Sequence, residues 1–384
     1  MHCNICHTKL GAPLYEASSD YALTSLCELR LGRVRIWLCP TCGHLRGEAL
    51  PDTHNYYDSN YRILLDHEDE DQIYLVEGER IVYRTEHQVN TLLSKLDLPC
   101  GTRLLDYGCA KASTPRRLLV SRPDLQIHLF DVSDMYVRHW QQFLSESRWA
   151  MHNTPAEWQG HFNVITSFFA LEHIPEPLET IRCINELLTE NGVFYGIVPD
   201  TFSNVADFAV IDHVNHFTDV SLHTLLRCAG FTDIQIDADA HRGALVFTAH
   251  KVGAPSLCPD LAASLAASHR LANYWIALGD RIGAAETTHA ALPAAIYGSG
   301  FYGAYIASLL GKPDRVEFFL DASPFQQGKT LFGKAIISPP ALPDHIRLLY
   351  IGLNPKIARA TVAGMDWLHG RNLKLVFLDE EAPC

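Results

Sequence analysis

The chain has 384 residues, 47% apolar and 20% charged. That mix excludes a disordered chain and, at roughly 150 residues per domain, predicts two or three domains. With 31 basic and 44 acidic side chains the formal charge is -13. This argues against nucleic acid as a main partner, because phosphate neutralisation needs a basic face.

No apolar run nears the roughly 18 residues of a membrane span. Met1 to Gly11 lacks the apolar stretch of a signal peptide. The expectation is a cytoplasmic protein with no membrane partner. Such a compartment keeps thiols reduced, so of the eleven cysteines four are read for metal binding and the other seven as core or surface thiols. Cys3 and Cys6 form one C-x2-C pair and Cys39 and Cys42 another. Each pair puts two thiolates on one tight turn, and two turns close a tetrahedron about zinc. Four thiolates leave no open coordination position, so the zinc is expected to be structural.

In chain order, residues 1–50 read as this zinc module, with a strand at Val34 to Leu38. Residues 51–95 form a helical lid or connector carrying Tyr56, Tyr57 and Tyr61, with a helical pattern toward Leu96. Residues 96–250 alternate strand-like runs with helices: Arg103–Asp106, Gln126–Phe130, Val164–Ser167, Val193–Val198, Ile234–Ile236 and Ala244–Thr248. Leu187 to Gly192 reads as a polar turn. Residues 251–290 are Ala- and Leu-rich and read as a helical connector. A second alternating unit fills 291–384, with strands at Ala294–Tyr297, Val316–Leu320, Leu348–Ile351 and Leu373–Phe377. Alternation of this kind predicts an α/β chain with mostly parallel sheets covered by helices.

The first α/β unit carries a nucleotide-site pattern. Its first strand ends in Asp106-Tyr107-Gly108-Cys109-Ala110-Lys111-Ala112, a carboxylate followed by small residues that let backbone approach a ligand. The second strand ends in Asp131-Val132, where a carboxylate can accept from ribose hydroxyls. Next come Phe168-Phe169-Ala170-Leu171-Glu172-His173-Ile174-Pro175 and Asn191-Gly192-Val193. In this order the motifs resemble class I S-adenosylmethionine (SAM)-dependent methyltransferases. The resemblance implies a Rossmann-like core that binds SAM through Asp106, Gly108, Ala110, Asp131, Val132, Phe169, Glu172 and His173. Ala110 and Ala112 stand where that family usually has glycine, so left-handed backbone there carries a cost. Glu172 and His173 read equally well as helix-capping residues.

A four-Cys module, this core and a second, C-terminal Rossmann-like α/β domain occur in the same order in sugar C-methyltransferases. Those enzymes act on C3 of nucleotide-linked 4-keto-deoxysugars, and the resemblance spans nearly the whole chain. Their Tyr-His-Glu-His motif aligns with His213-Val214-Asn215-His216, so three of the four positions differ. The resemblance implies a small-molecule substrate, most plausibly a nucleotide sugar, and C-methylation with a histidine general base. Histidine suits that task by its pKa. His216 is the first candidate, His213 the second, with Asn215 between them. Tyr56, Tyr57, Tyr61 and Arg242 are candidate substrate contacts.

Two alternatives stay open. The altered motif admits O-methylation of a sugar or another small metabolite. Gly298-Ser299-Gly300-Phe301-Tyr302-Gly303, with Asp321 at the end of the next strand, matches a dinucleotide fingerprint and admits an NAD-dependent oxidoreductase.

Overall fold

A computed structural model describes residues 1–50, 71–77 and 80–379. Tyr56, Tyr57 and Tyr61 lie outside the described residues. The chain opens with short strands: β1 (Tyr15–Glu16), β2 (Tyr21–Leu23), β3 (Leu29–Leu31), β4 (Arg35–Leu38) and β5 (Leu45–Gly47). β2 and β3 form a hairpin, while β1, β4 and β5 pair antiparallel. A second hairpin, β6 (Ile73–Glu77) and β7 (Arg80–Tyr83), runs into α1 (Arg84–Lys95), the helix expected before Leu96. α1 buries Gln88, Val89, Thr91 and Leu92, one face of a 3.6-residue period.

The central unit continues with β8 (Arg103–Tyr107), α2 (Ser113–Ser121), β9 (Gln126–Asp131), α3 (Val137–Trp140), β10 (Trp149–Met151) and β11 (Phe162–Phe168). Then follow α4 (Pro177–Leu187), β12 (Leu188–Pro199), β13 (Asn215–His216), α5 (Asp219–Cys228), β14 (Asp233–His241) and β15 (Ala244–His250). Seven of these strands make one sheet, in the order β10-β9-β8-β11-β12-β15-β14. Its first five strands are parallel, and β15 runs antiparallel between β12 and β14. Strand order reverses between β8 and β11, so the crevice for a ligand opens above their carboxyl ends.

The polar turn expected at Leu187 to Gly192 is corrected. β12 begins at Leu188, and its register with β11 slips from Phe162↔Leu188 to Val164↔Val193. The polar residues are taken up as an irregularity inside the strand, because Leu188 is buried and pins its start.

β13 does not join this sheet. It pairs antiparallel with β5 and ties the central unit to the N-terminal sheet. The capping box of α5 fixes the chain just after it: Ser221 N donates to Thr218 Oγ1 (3.2 Å), and Thr218 N donates to Ser221 Oγ (3.0 Å).

The long helix α6 (Leu261–Thr288), capped by Asp260, leads to a second sheet. That sheet contains β16 (Ala294–Tyr297), β17 (Val316–Leu320), β18 (Thr330–Leu331), β19 (Lys334–Ile337), β20 (Leu348–Ile351) and β21 (Lys374–Val376). It is flanked by α7 (Phe301–Leu309) and α8 (Pro355–Ala363). The order is β18-β19-β17-β16-β20-β21, and every pair but β18/β19 is parallel. One buried cluster takes Tyr15 and Ile36 from the N-terminal sheet, Phe208, Trp275 from α6, and Ile296 and Phe319 from the second sheet. No described helix is long and apolar enough to cross a membrane.

Candidate active site

The loop after β8 wraps over the strand ends. Gly108 N and Cys109 N donate to Phe130 O at 2.8 and 3.1 Å, which ties the loop to the end of β9. Gly108, Ala110 and Ala112 all have left-handed backbone, with φ of 76°, 45° and 56°. The two alanines therefore hold the conformation that glycine favours. At Gly108 a side chain is barred as well, since a Cβ there would lie 2.8 Å from Ala170 Cβ. Trp140 Nε1 donates to Ala110 O at 2.7 Å and holds the loop from outside.

Asp131, at the end of β9, is buried. Its carboxylate accepts from Ala110 N (2.8 Å) and Ser133 N (3.0 Å). These bonds orient the carboxylate at the strand end. Asp106 is also buried and accepts from Thr166 Oγ1 at 2.7 Å. Burial raises its pKa to about 7 against that hydrogen bond, and nearby Asp131 adds to the rise. Val132 is exposed beside the loop. Phe169, just past β11, has φ of 53°, a strained backbone for a bulky residue. The Arg84 guanidinium lies 4.0 Å from its ring centroid.

Glu172 and His173 do not cap the helix α4. They sit in a single 3-10 turn, Leu171–His173, which ends four residues before the Pro177 that begins it. Donor atoms of Glu172, His173 and His213 all lie within 4.8 Å of one another. His173 Nδ1 donates to Asp212 O at 3.0 Å. Burial first, then the charge of His213, lower the His173 pKa to about 4. Glu172 is 2% exposed, and its Oε2 has no hydrogen-bond partner among the described residues. Burial raises its pKa to about 7.

The histidine motif is organised by a residue that the sequence reading missed, Asp207. It is 1% exposed. Its Oδ1 accepts from His213 Nδ1 at 2.6 Å, and its Oδ2 accepts from His216 Nδ1 (3.1 Å) and Thr201 Oγ1 (2.6 Å). These bonds hold the Asp207 carboxyl below its usual pKa despite burial. The signal was present: Asp207 is the one charged residue in the apolar run Val205-Ala206-Asp207-Phe208-Ala209.

The ranking of the histidines is corrected. His216 is 0% exposed; its Nε2 has no hydrogen-bond partner among the described residues and lies 3.3 Å from where a Gly47 Cβ would stand. The ring is sealed beneath β5. His213 is also buried, at 7% exposed. Burial lowers its pKa, but the hydrogen bond and charge of Asp207 outweigh that and raise it to about 9. The pairing with Asp207 favours the imidazolium form, a donor rather than a base.

Asn215 has no capacity left for chemistry. Its Nδ2 donates to Leu171 O (2.8 Å) and Ile174 O (2.7 Å). Its Oδ1 accepts from Asn4 Nδ2 (2.8 Å) and His44 Nε2 (3.3 Å). It is a brace, and the catalytic expectation for it is withdrawn. Arg242 is exposed at the turn between β14 and β15, with its guanidinium 5.4 Å from the Tyr74 ring centroid. Tyr74 stacks on His87 (3.8 Å, 10°), and His241 meets both edge-on.

Among the described residues, the four cysteine sulfurs converge within 4.8 Å. Cys3 and Cys42 Sγ are 3.6 Å apart, and Cys6 and Cys39 Sγ 3.4 Å. A disulfide needs about 2.05 Å, whereas ligands of a tetrahedral Zn²⁺ with bonds of about 2.3 Å stand roughly 3.8 Å apart. The donor set fits a closed metal site.

In the second sheet, Gly298 and Gly303 are packed backbone to backbone. A Cβ on Gly303 would lie 1.9 Å from Gly298 O, and one on Gly298 would lie 2.3 Å from Gly352 O. Gly300 has open space. Asp321 accepts from Ser299 N, Ser299 Oγ and Ser323 N, so both of its oxygens are engaged.

Residues 79–236 match a family model described as a methyltransferase domain. The matched stretch is about two-fifths of the chain. It holds the Gly108 loop, Asp131, Glu172 and the histidine motif. Ubiquinone biosynthesis O-methyltransferase of Vibrio campbellii (strain ATCC BAA-1116) is 28% identical over 131 residues, 31% of this chain and 54% of that protein. Its namesake from Histophilus somni (strain 2336) is 29% identical over 126 residues, 30% of this chain and 50% of the relative. The chain spans about half the length of these curated relatives. A solved structure described as PigF with SAH has 14% identity, covering 43% of this chain and 54% of that one, at a TM-score of 0.36.

Proposed function

We propose that the protein is a SAM-dependent methyltransferase acting on a small molecule. The observation that carries this reading is the left-handed Gly108–Ala112 loop, closed against Asp131 inside a methyltransferase domain. Asp131 would hold the ribose, and the loop's backbone would cradle the methionine end. Asp106 would brace the loop, and Val132 and Phe169 would border the adenosine. SAM supplies a methyl group already activated by its sulfonium charge, so the protein chiefly supplies alignment.

The acceptor would sit where Glu172, His173 and His213 converge, with Arg242 and the Tyr74–His87–His241 cluster at the rim. The finer reading is C-methylation of a nucleotide-linked keto-sugar. Its support is the chain order: four-Cys knuckle, methyltransferase core, then a second, Rossmann-like sheet with a dinucleotide-type glycine loop. Domains at 1–50, 51–95, 96–250, 251–290 and 291–384 belong to the same reading. O-methylation is the second reading, favoured by the printed activity of the relatives. Zn²⁺ at Cys3, Cys6, Cys39 and Cys42 would be structural.

Calorimetric titration with S-adenosylhomocysteine, beside NADH and an Asp131→Ala variant, tests the proposal. Micromolar binding that the variant loses is the expected result. Binding of NADH alone would refute it and move the chemistry to the Gly298–Gly303 loop. Metal analysis should find one zinc per chain, lost in Cys39→Ser.

A further inference from the structure

We infer that Glu172 takes the proton from the acceptor, and that His213, fixed by Asp207, donates a hydrogen bond to the acceptor's oxygen. This rests on the keto-sugar C-methylation reading above. Three geometric facts carry it. Glu172 is 2% exposed, yet its Oε2 has no partner among the described residues. Leaving a buried carboxyl oxygen unbonded is costly, and unlike the equally unpartnered His216 Nε2 this carboxyl stands in a cluster with His173 and His213. His213 has a ring nitrogen within 4.8 Å of a Glu172 carboxyl oxygen. Its Nδ1 is spent on Asp207 at 2.6 Å, so its other ring nitrogen is the one directed to a ligand. Finally, the acid-base group expected from the sequence motif is missing, because Asn215 is a saturated brace and His216 is sealed under β5.

The charged and titratable groups facing Glu172 are His213, Asp207 and Arg84, with His173 in the same cluster. Their balance suits the roles. The carboxyl, raised by burial to about 7, is a base near neutrality, and the imidazole, raised by Asp207 to about 9, stays charged. Two neighbouring groups with pKa values pushed apart divide acid and base work between them.

The step balances without another reagent. The C–H bond beside the keto group breaks, and its proton passes to Glu172 Oε2. The electron pair forms the enolate, whose oxygen charge is met by the His213 N–H. The enolate carbon then takes the methyl group as the sulfonium becomes a neutral thioether, and Glu172 returns its proton to water.

The experiment reads proton exchange rather than methyl transfer. Full-length protein with S-adenosylhomocysteine and a nucleotide-linked 4-keto-6-deoxysugar is incubated in deuterium oxide, and loss of the carbon-3 proton is followed by NMR. The wild type should exchange it. Glu172→Gln should slow exchange about 100- to 10,000-fold while keeping its affinity for S-adenosylhomocysteine, and Glu172→Asp should restore part of the rate. The wild-type rate should rise with pH through about 7 and fall through about 9. Exchange by Glu172→Gln within threefold of wild type overturns the inference. Binding of S-adenosylhomocysteine and sugar with no wild-type exchange overturns it and C-methylation together, leaving the methyltransferase reading intact. Failure of the wild type to bind S-adenosylhomocysteine removes the underlying reading itself.

Discussion

Replacing Gly108 by alanine separates two demands on the cofactor loop. Gly108 has φ of 76°, and its Cβ would meet Ala170 Cβ at 2.8 Å. Left-handed backbone costs an L-residue roughly 1–2 kcal/mol, and overpacking adds roughly 1–3 kcal/mol. Gly108→Ala should therefore destabilise the protein by about 2–5 kcal/mol. Ala110 and Ala112 already bear the first cost. Relief of roughly 1–2 kcal/mol in Ala110→Gly is partly offset by roughly 0.4–1 kcal/mol of added unfolded-chain entropy. The loss of a half-buried methyl offsets it further. Ala112 is 1% exposed and packs in the core under the loop, so Ala112→Gly forfeits a whole buried methyl, about 0.8 kcal/mol, and should come out near zero. The assay is urea unfolding of the three variants, with S-adenosylhomocysteine affinity measured in parallel. Gly108→Ala should lower the midpoint and weaken binding, while both glycine variants should stay within about 1 kcal/mol of wild type. A Gly108→Ala protein as stable and as tightly binding as wild type would refute the loop argument.

The rise of His213 from 6.5 to about 9 contributes stability that is full below pH 6.5 and lost as pH climbs through about 9. It amounts to on the order of 3 kcal/mol. Asp207→Asn should abolish that alkaline slope, which chemical denaturation from pH 6 to 10 would detect. Glu172 also has a raised pKa, so its contribution is lost earlier, as pH rises from its ordinary value through about 7. Glu172→Gln should flatten stability in that lower window only. Asn215→Ala would strand Leu171 O, Ile174 O and the Asn4 amide and should cost about 3 kcal/mol, read as a lower thermal midpoint. Gly303→Ala drives a Cβ to within 1.9 Å of Gly298 O; backbone cannot yield as a side chain can, so limited proteolysis should show the 291–379 segment opened.

The parallel strands were legible because each is a short apolar run of a buried sheet, bounded by turn residues. Ala294–Tyr297, Val316–Leu320 and Leu348–Ile351 appear at their expected limits. The Gly108–Ala112 loop was legible through the motif resemblance, which put Ala110 and Ala112 in glycine's place. The acceptor site was not, because it is assembled by contacts between distant residues. Nothing in the spacing of His213 and His216 says that both rings turn onto Asp207, or that one of them is sealed under β5. Asn215 was misread for the same reason, since its four partners come from Asn4, His44, Leu171 and Ile174.

Those four partners also tie the four-cysteine knuckle to the central unit. Asn4 lies between Cys3 and Cys6, and its amide donates to both Asn215 Oδ1 and Pro175 O. Asn215 in turn grips the carbonyls on either side of Glu172 and His173. Val214 N donates to Glu172 O at 2.8 Å, and Gly47 N donates to Val214 O at 2.8 Å. The knuckle, β5 and β13 thus form one hydrogen-bonded frame around the turn that carries Glu172. A single 3-10 turn has too few internal bonds to hold a buried carboxyl in place, so its position is borrowed from the frame. Zinc at the four cysteines, by rigidifying the Asn4 loop, would act on the acceptor site from outside it without taking part in the chemistry.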